Sequence, residues 1–305
     1  WISATFRAEV GDAMWPGAPV PLRAMKAGLI AALAPGGVTQ MRDNAEIAVS
    51  LSGGAPASER SVVVTQLGIA HWLSGDAPGA LPLLKDGEGQ GATGNVLAQV
   101  VAVAYQALIL GDEGCWDAAR TLTADGLRRV EDAGLSWGLP VFPLLLAQAR
   151  LQARDGDAAL ADSITAIERI VEDTDTIAPF MSLAASVLVG EIVLERGDLV
   201  EATRWMRAGF ALLAAWPDAG ILGPRLLRLR ERIEARRLLE PLTPAERRVL
   251  ELLPTELSLK EIARRLYVSP ETVRTHAKDV YRKLEVHARS EAVARARELE
   301  LLRSP

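Results

Sequence analysis

The sequence has one cysteine, few aromatic residues and no long apolar run. With Cys115 as its only cysteine, the chain cannot form an internal disulfide, which is typical of proteins of a reducing cytosol. No stretch of about 20 consecutive apolar residues is present, and the N-terminus does not resemble a secretory signal. We therefore predict a cytoplasmic protein without a membrane partner, and we expect Cys115 to be a packed small apolar residue.

Patterns of catalytic and metal-binding residues are also missing. The three histidines lie far apart or at spacings unsuited to one metal: His71, His276 and His287. One G-x-G-x-x-G occurs at Gly89, Gly91 and Gly94, but it follows a helical pattern rather than a strand. We interpret it as a flexible connection between helices. We predict no enzymatic activity, no metal and no cofactor.

Length and charge suggest two domains, 1–240 and 241–305. The net charge is −5, yet residues 241–305 hold 13 Lys and Arg against 10 Asp and Glu, a balance of +3, which leaves −8 for the remainder. The acidic part is a poor candidate for binding DNA. Arg225 to Arg237 is a basic, helix-favouring stretch that could join the domains, and either a solvated face or a DNA contact fits it. Because the first residue is Trp1, we expect a piece of a longer protein.

Residues 20–240 are helical in pattern and contain an internal repeat. A small residue is followed by Gly after seven positions and by Ala after five more, in four sets: Gly68, Gly75, Ala80; Ala107, Gly114, Ala119; Ala149, Gly156, Ala161; Gly190, Gly197, Ala202. We expect each Gly to break the chain between two helices that cross closely at the small residues. Stacked pairs would form an α-solenoid, similar to tetratricopeptide repeats, with a degenerate first pair from Pro21 to Leu51. Chance spacing in a chain rich in Ala and Gly is the alternative.

Large aromatic residues occur at intervals along the repeats: Trp72, Trp116, Trp137, Trp205, Trp216, Phe142 and Phe180. Aromatic side chains on stacked helices usually belong to the core. A ligand pocket lined by some of them is the second interpretation.

The C-terminal part has three helix starts in a row. Thr243 with Glu246, and Ser258 with Glu261, have the spacing of capping boxes, and Ser269 with Pro270 begins a third helix. The first helix is expected to end at Leu253 and the second near Leu266. Two short helices joined by a tight turn are typical of a helix-turn-helix.

The third helix has an apolar stripe and a basic outer face. Val273, Ala277, Val280 and Leu284 recur at helical spacing, whereas Arg274, Thr275, Lys278 and Arg282 point elsewhere. Such a helix can enter a major groove, where Arg and Lys bind guanine acceptors, and Ser269 or Thr272 at its start can meet phosphate. A solvated basic face on a small bundle is the alternative.

These residues resemble a known family. LTPAERRVLELL, LKEIARRLYVSPETVRTHAKDVYRKLEV and the helix from Arg289 to Leu302 are similar to the DNA-binding domain of LuxR-type transcriptional regulators. The resemblance implies that Arg274, Thr275 and Lys278 contact bases, and that Lys260, Thr272, Lys283 and Arg289 lie near phosphates, to which the residues themselves add Ser269 and Arg282. Glu285 and Glu300 stand where the family usually has glycine.

The resemblance also implies partners. Double-stranded DNA is the first, and a second copy of the chain would pair on DNA through the helix from Ser290 to Leu302. RNA polymerase is a candidate partner, as is a small-molecule or protein inducer on the repeats. A helical-repeat array before this domain is similar to the C-terminal part of MalT-like regulators, in which an ATP-binding module precedes the repeats. We thus predict an all-α bacterial transcription regulator, nucleoid-associated when bound; a protein-interaction scaffold and a sigma-factor-like promoter subunit are the alternatives.

Overall fold

The computed structural model describes residues 20–135, 138, 141–174, 178–238, 242–284, 286–299 and 301–302. Within them the chain forms helices and no strands, as predicted, in the order α1 Val20–Leu33, α2 Val38–Leu51, α3 Ala57–Leu73, α4 Ala77–Gly91, α5 Val96–Asp112, α6 Trp116–Asp132, α7 Phe142–Asp155, α8 Leu160–Thr174, α9 Pro179–Glu195, α10 Leu199–Ala215, α11 Leu222–Leu238, α12 Pro244–Leu252, α13 Leu259–Leu266, α14 Pro270–Lys283 and α15 Arg289–Glu298. The chain divides into two compact units, Trp1–Leu229 and Arg230–Pro305.

In the first unit, most helices contact the next one or two helices along the chain. This is the neighbour pattern of stacked helix pairs. The predicted turn glycines Gly75, Gly114, Gly156 and Gly197 all have positive φ, between 71° and 89°. Because L-residues with a side chain rarely adopt this conformation, glycine there ends one helix and allows the next to begin.

The predicted helix crossings occur where glycine removes a side chain. A Cβ on Gly68 of α3 would lie 2.8 Å from Leu84 Cγ on α4. One on Gly190 of α9 would lie 3.5 Å from Trp205 Cβ on α10, the helix of the predicted pair, and 2.6 Å from Leu229 Cδ2 on α11. The prediction is wrong for Ala161, which is exposed, because α8 turns the neighbouring Leu160 into the core instead. Helices therefore approach through small residues at most, but not all, of the repeated positions.

The glycine-rich segment that we expected to be a flexible connection is mostly helical. Gly89 and Gly91 lie in α4, and only Gly94 is in the following turn. Glycine within this helix permits a close approach of the next helix: a Cβ on Gly91 would lie 2.7 Å from Gln99 Cγ on α5. Gly89 itself is exposed, with no atom near its missing Cβ.

The segment after α10 connects the end of the first unit to its beginning. Trp216 is 1% exposed, and its indole Nε1–H donates to the Ala34 carbonyl at 2.6 Å. The backbone N–H of Val38 donates to the Asp218 carbonyl at 2.8 Å, and that of Ile221 to the Leu73 carbonyl at 2.7 Å. The helices of this unit are therefore closed on themselves by contacts far apart in sequence.

Other residues differ from expectation in their surroundings. Cys115 is exposed rather than packed, because it is the N-cap of α6 in the turn after Gly114. In the basic stretch from Arg225 to Arg237, Arg225 is buried and ion-paired with Glu191 at 2.6 Å and with Asp112 at 3.0 Å, whereas Arg228 and Arg232 are exposed. No helix among the described residues has the length and apolar character needed to cross a membrane.

The aromatic residues of the repeats mostly belong to the core, as predicted. Five are buried: Trp72, Trp205, Trp216, Phe142 and Phe180. Trp116 is half-buried, and Trp137, like Trp1, lies outside the described residues.

The second unit has its own apolar core. It is formed by residues from all four C-terminal helices: Leu242, Val249, Leu250, Leu253, Ile262, Ala263, Val273, Ala277, Val280, Leu284, Ala292 and Ala296. The apolar stripe predicted for α14 is thus the face that the helix buries.

Candidate nucleic-acid interface

The helix starts form as their caps predict. The Thr243 and Ser258 hydroxyls accept from the N–H groups of Glu246 and Glu261, and both glutamates bond back to the N–H of the cap residue. The Ser269 hydroxyl accepts from the Thr272 N–H at 3.1 Å. Each cap satisfies donors that would otherwise lack a partner, which fixes where α12, α13 and α14 begin.

The turn of the helix-turn-helix depends on Tyr267. This residue has φ 56° and ψ 41°, and the Val268 N–H donates to the Ala263 carbonyl, five residues back. That bond and the left-handed residue are the features of a Schellman C-cap, normally made with glycine. The Tyr267 side chain is 95% exposed. Sequence reasoning missed it, although a residue between a helix end and a new cap is a candidate for this conformation.

The predicted base-contacting residues share the outer face of α14. Arg274, Thr275 and Lys278 are all exposed, opposite the buried stripe. Arg274 forms an ion pair with Glu271 one turn earlier, and Thr275 Oγ1 donates to the Glu271 carbonyl at 3.1 Å. Exposed ion pairs of this kind contribute little stability, so Arg274 can exchange its partner at small cost.

The predicted phosphate-contacting residues fall into two groups. Lys260, Ser269 and Arg282 are exposed and Thr272 is half-buried, close to the start of α13 or on α14. Ser269 Oγ and Thr272 Oγ1 lie 2.8 Å apart, and Arg282 Nε lies 3.7 Å from Asp279 Oδ1.

Lys283 and Arg289 are placed differently from that exposed group. Lys283 is buried, with its Nζ 2.7 Å from Glu246 Oε2. The Arg289 guanidinium donates to three carbonyls between α12 and α13, at Leu253, Thr255 and Leu257, with distances of 2.7 to 2.9 Å. Contact with phosphate would require either cation to leave these partners.

The Glu246 carboxylate lies at the centre of the unit. Burial would raise its pKa, but the ion pair with Lys283 and the bond from the Thr243 N–H outweigh burial, so the pKa lies below its usual range. Oxygen or nitrogen atoms of His276 and Asp279 lie within 4.8 Å of this carboxylate. Since the Lys283 ammonium already neutralises Glu246, it would repel a metal ion bound there.

The fourth helix is shorter than expected. Helix α15 ends at Glu298 rather than at Leu302, and the Leu301 N–H donates to the Ala296 carbonyl at 2.9 Å. Leu301 and Leu302 pack against the core after the helix has ended. Glu285 and Glu300, which replace the usual glycines, lie outside the described residues.

Comparison with known proteins points to the same part of the chain. The model of bacterial regulatory proteins of the luxR family matches residues 240–296. Spore germination protein GerE of Bacillus subtilis is 48% identical over 63 residues, which are 20% of this chain and 85% of GerE. A Mycobacterium tuberculosis protein described as an HTH-type transcriptional regulator is 51% identical over 55 residues, 18% of this chain.

A nitrate/nitrite response regulator protein homolog of Haemophilus influenzae is 44% identical over 61 residues, which are 20% of this chain and 29% of that protein. The chain covers only 6% of the length of the mycobacterial relative. The search of solved structures found no match. Through the four helices of its second unit, the chain belongs to the luxR family of bacterial regulatory proteins.

Proposed function

We propose that the chain is a DNA-binding transcription regulator in which the helical first unit receives a signal and controls the second unit. The observation that carries the proposal is the outer face of α14, where Arg274, Thr275 and Lys278 are exposed on a helix fixed by a capped start and a buried stripe. The luxR-family match and relatives named as transcriptional regulators support the DNA-binding part of the proposal.

In this proposal the exposed residues have two roles, contact with bases and contact with phosphates. Arg274, Thr275 and Lys278 read bases in the major groove, because Arg and Lys can bond guanine and Thr offers a hydroxyl and a methyl. Lys260, Ser269, Thr272 and Arg282 contact phosphates and position the helix. Lys283 and Arg289 act from inside the unit: Lys283 holds α14 against the first turn of α12, and Arg289 holds α15 against the segment between α12 and α13.

The architecture proposed for the whole regulator follows the domain limits 1–240 and 241–305. The first part is a tetratricopeptide-like array, as in MalT-like regulators, and α15 pairs two copies on adjacent half-sites. The array has no enzymatic role and binds an inducer or protein partner.

The test compares two arginines of one helix. A preferred site is first selected from a random duplex pool with the full chain. We expect Arg274→Ala to lose about 1–3 kcal/mol on that site and little on random DNA, whereas Arg282→Ala weakens both alike and lowers the salt slope by about one. Equal losses on the two duplexes for Arg274→Ala would remove its assignment as a base reader.

A further inference from the structure

A cavity of about 350 Å³ opens between α7 and α9 in the first unit. Its apolar surface comes from Ala153, Leu188 and Ile192, and Trp116 at the start of α6 forms one side. Charged residues complete the lining: Arg150, Arg154, Glu191, Glu195 and Arg196. Five of the nine lining residues are therefore charged, and the cavity combines an apolar wall with polar groups that could fix the orientation of a small molecule.

Two of these charged groups are already paired. Arg150 Nη1 lies 2.9 Å from Asp112 Oδ1 and also donates to the Leu108 carbonyl. Glu191 lies 2.6 Å from Arg225, whose pKa is raised because Glu191 and Asp112 together outweigh its burial. The carboxylate of Glu191 is therefore neutralised from within the fold, and Glu195 is the other acid of the lining.

Two guanidinium groups at the rim are not paired in this way. Arg154 and Arg196 are exposed, and among the described residues neither forms an ion pair with a carboxylate. The Arg154 guanidinium lies over the Trp116 ring, 4.8 Å from its centroid, and Arg150 lies 5.5 Å from the same ring. Asp155, beside Arg154, is bonded to Arg120 at 2.6 Å. Two cations without an ion pair to a carboxylate thus border the cavity, in whose lining Arg150, Arg154 and Arg196 outnumber Glu191 and Glu195.

We propose that this cavity binds a small organic anion, with a carboxylate or phosphate held by Arg154 and Arg196 and a compact apolar body against Leu188 and Ile192. Arginine suits this role because its planar fork bonds either anion through two parallel N–H groups. The site deepens the proposed function and rests on it, since it gives the signal received by the helical unit a chemical class.

Isothermal calorimetry on the full chain at low salt, without DNA, tests the site. Benzoate, phenyl phosphate, benzyl alcohol and benzylamine share one ring and differ in charge. We expect saturable binding of at least one anion at millimolar concentration or below and none of the alcohol or the amine. The two anions distinguish a carboxylate from a phosphate ligand.

Variants connect binding to the cavity. We expect Arg154→Gln with Arg196→Gln to weaken anion binding about tenfold or more, since each loses a charge-assisted bond. Arg207→Gln on α10, an exposed arginine outside the lining, is the matched control and should bind as the parent does. Thermal unfolding of all three proteins shows that the variants fold.

The proposal is overturned if neither anion binds, if the amine binds as tightly, or if the double variant keeps full affinity. Because the measurement contains no DNA, its failure would leave DNA binding by the second unit untouched. Conversely, anion binding by a chain that does not bind DNA would preserve the site and remove the regulatory role.

Discussion

The ion pair between Lys283 and Glu246 joins the last turn of α14 to the first turn of α12. Both side chains are less than 10% exposed, and the Glu246 carboxylate also accepts a hydrogen bond from the Thr243 N–H at the start of α12. Removing one partner of a buried pair leaves the other charge without compensation, which costs far more than the pair contributes.

We therefore expect Lys283→Met to lower the free energy of unfolding of the second unit by about 3 kcal/mol, measured by urea denaturation. Lys278→Met, on the exposed face of the same helix, should change it by less than about 0.5 kcal/mol. Because the pKa of Glu246 is lowered in the folded state, its stabilisation is present above the unfolded-state pKa of about 4.3 and is lost as pH falls through the lower folded value. Because the Thr243 bond to Glu246 remains, Lys283→Met should reduce this acid-dependent loss, and a variant that keeps the loss in full would contradict the account.

The sequence predicted the contacts of some of these residues and not those of others. The caps at Thr243, Ser258 and Ser269 were predicted because each involves residues three apart, so the pattern contains both partners. The contacts of Lys283 and Arg289 join residues 32 to 37 positions apart, and only the folded unit brings them together. The resemblance to the family placed both cations near phosphate, and their partners inside the unit were visible only in the structure.

Helices α3 and α4 show how glycine has two opposite roles in one pair. At Gly68 a methyl group would meet Leu84, whereas Gly89 on α4 is exposed with open space at its Cβ position. The first glycine permits contact between the helices, and the second only weakens its own helix.

We expect Gly68→Ala to destabilise the first unit by about 1–3 kcal/mol through overpacking. Gly89→Ala should instead stabilise it by about 0.5–1 kcal/mol, because alanine is the better helix former. Thermal or urea unfolding followed by circular dichroism measures both. If Gly68→Ala stabilised the unit as Gly89→Ala does, the close approach of α3 and α4 at Gly68 would be wrong.

The repeat pattern predicted such helix pairs but not how the array closes. The turn glycines recur locally, so the sequence revealed the pairs around Gly75, Gly114, Gly156 and Gly197. Trp216 and Ala34 lie 182 positions apart, and no periodicity relates them. Closure of the first unit could be found only from its three-dimensional structure.

Closure predicts that the two ends of the first unit unfold together. Trp216 and Trp205 are both buried, but the indole N–H of Trp216 donates to Ala34, whereas that of Trp205 has no acceptor among the described residues. We expect Trp216→Phe to cost about 1–2 kcal/mol more than Trp205→Phe, since it alone leaves a buried carbonyl without its donor. Equal losses, measured by urea unfolding, would show that this bond does not hold the ends together.

The net negative charge of the whole chain disfavours binding to DNA. The net charge is −5, so affinity must come from the arrangement of cations on the second unit rather than from overall attraction. Binding by a few phosphate contacts depends steeply on salt, because each contact releases a counterion.

Fluorescence anisotropy of the full chain with a random duplex pool, at several salt concentrations, is the most direct measurement. A chain ending at Glu240 and the full-length variant Arg274→Ala, Lys278→Ala, Arg282→Ala serve as controls. The account predicts that the full chain binds, that its affinity falls steeply with salt, that the chain ending at Glu240 does not bind, and that the triple variant binds more weakly because it lacks the phosphate contact of Arg282. Undiminished binding by either control, or no binding by the full chain even at low salt, would contradict DNA recognition through α14.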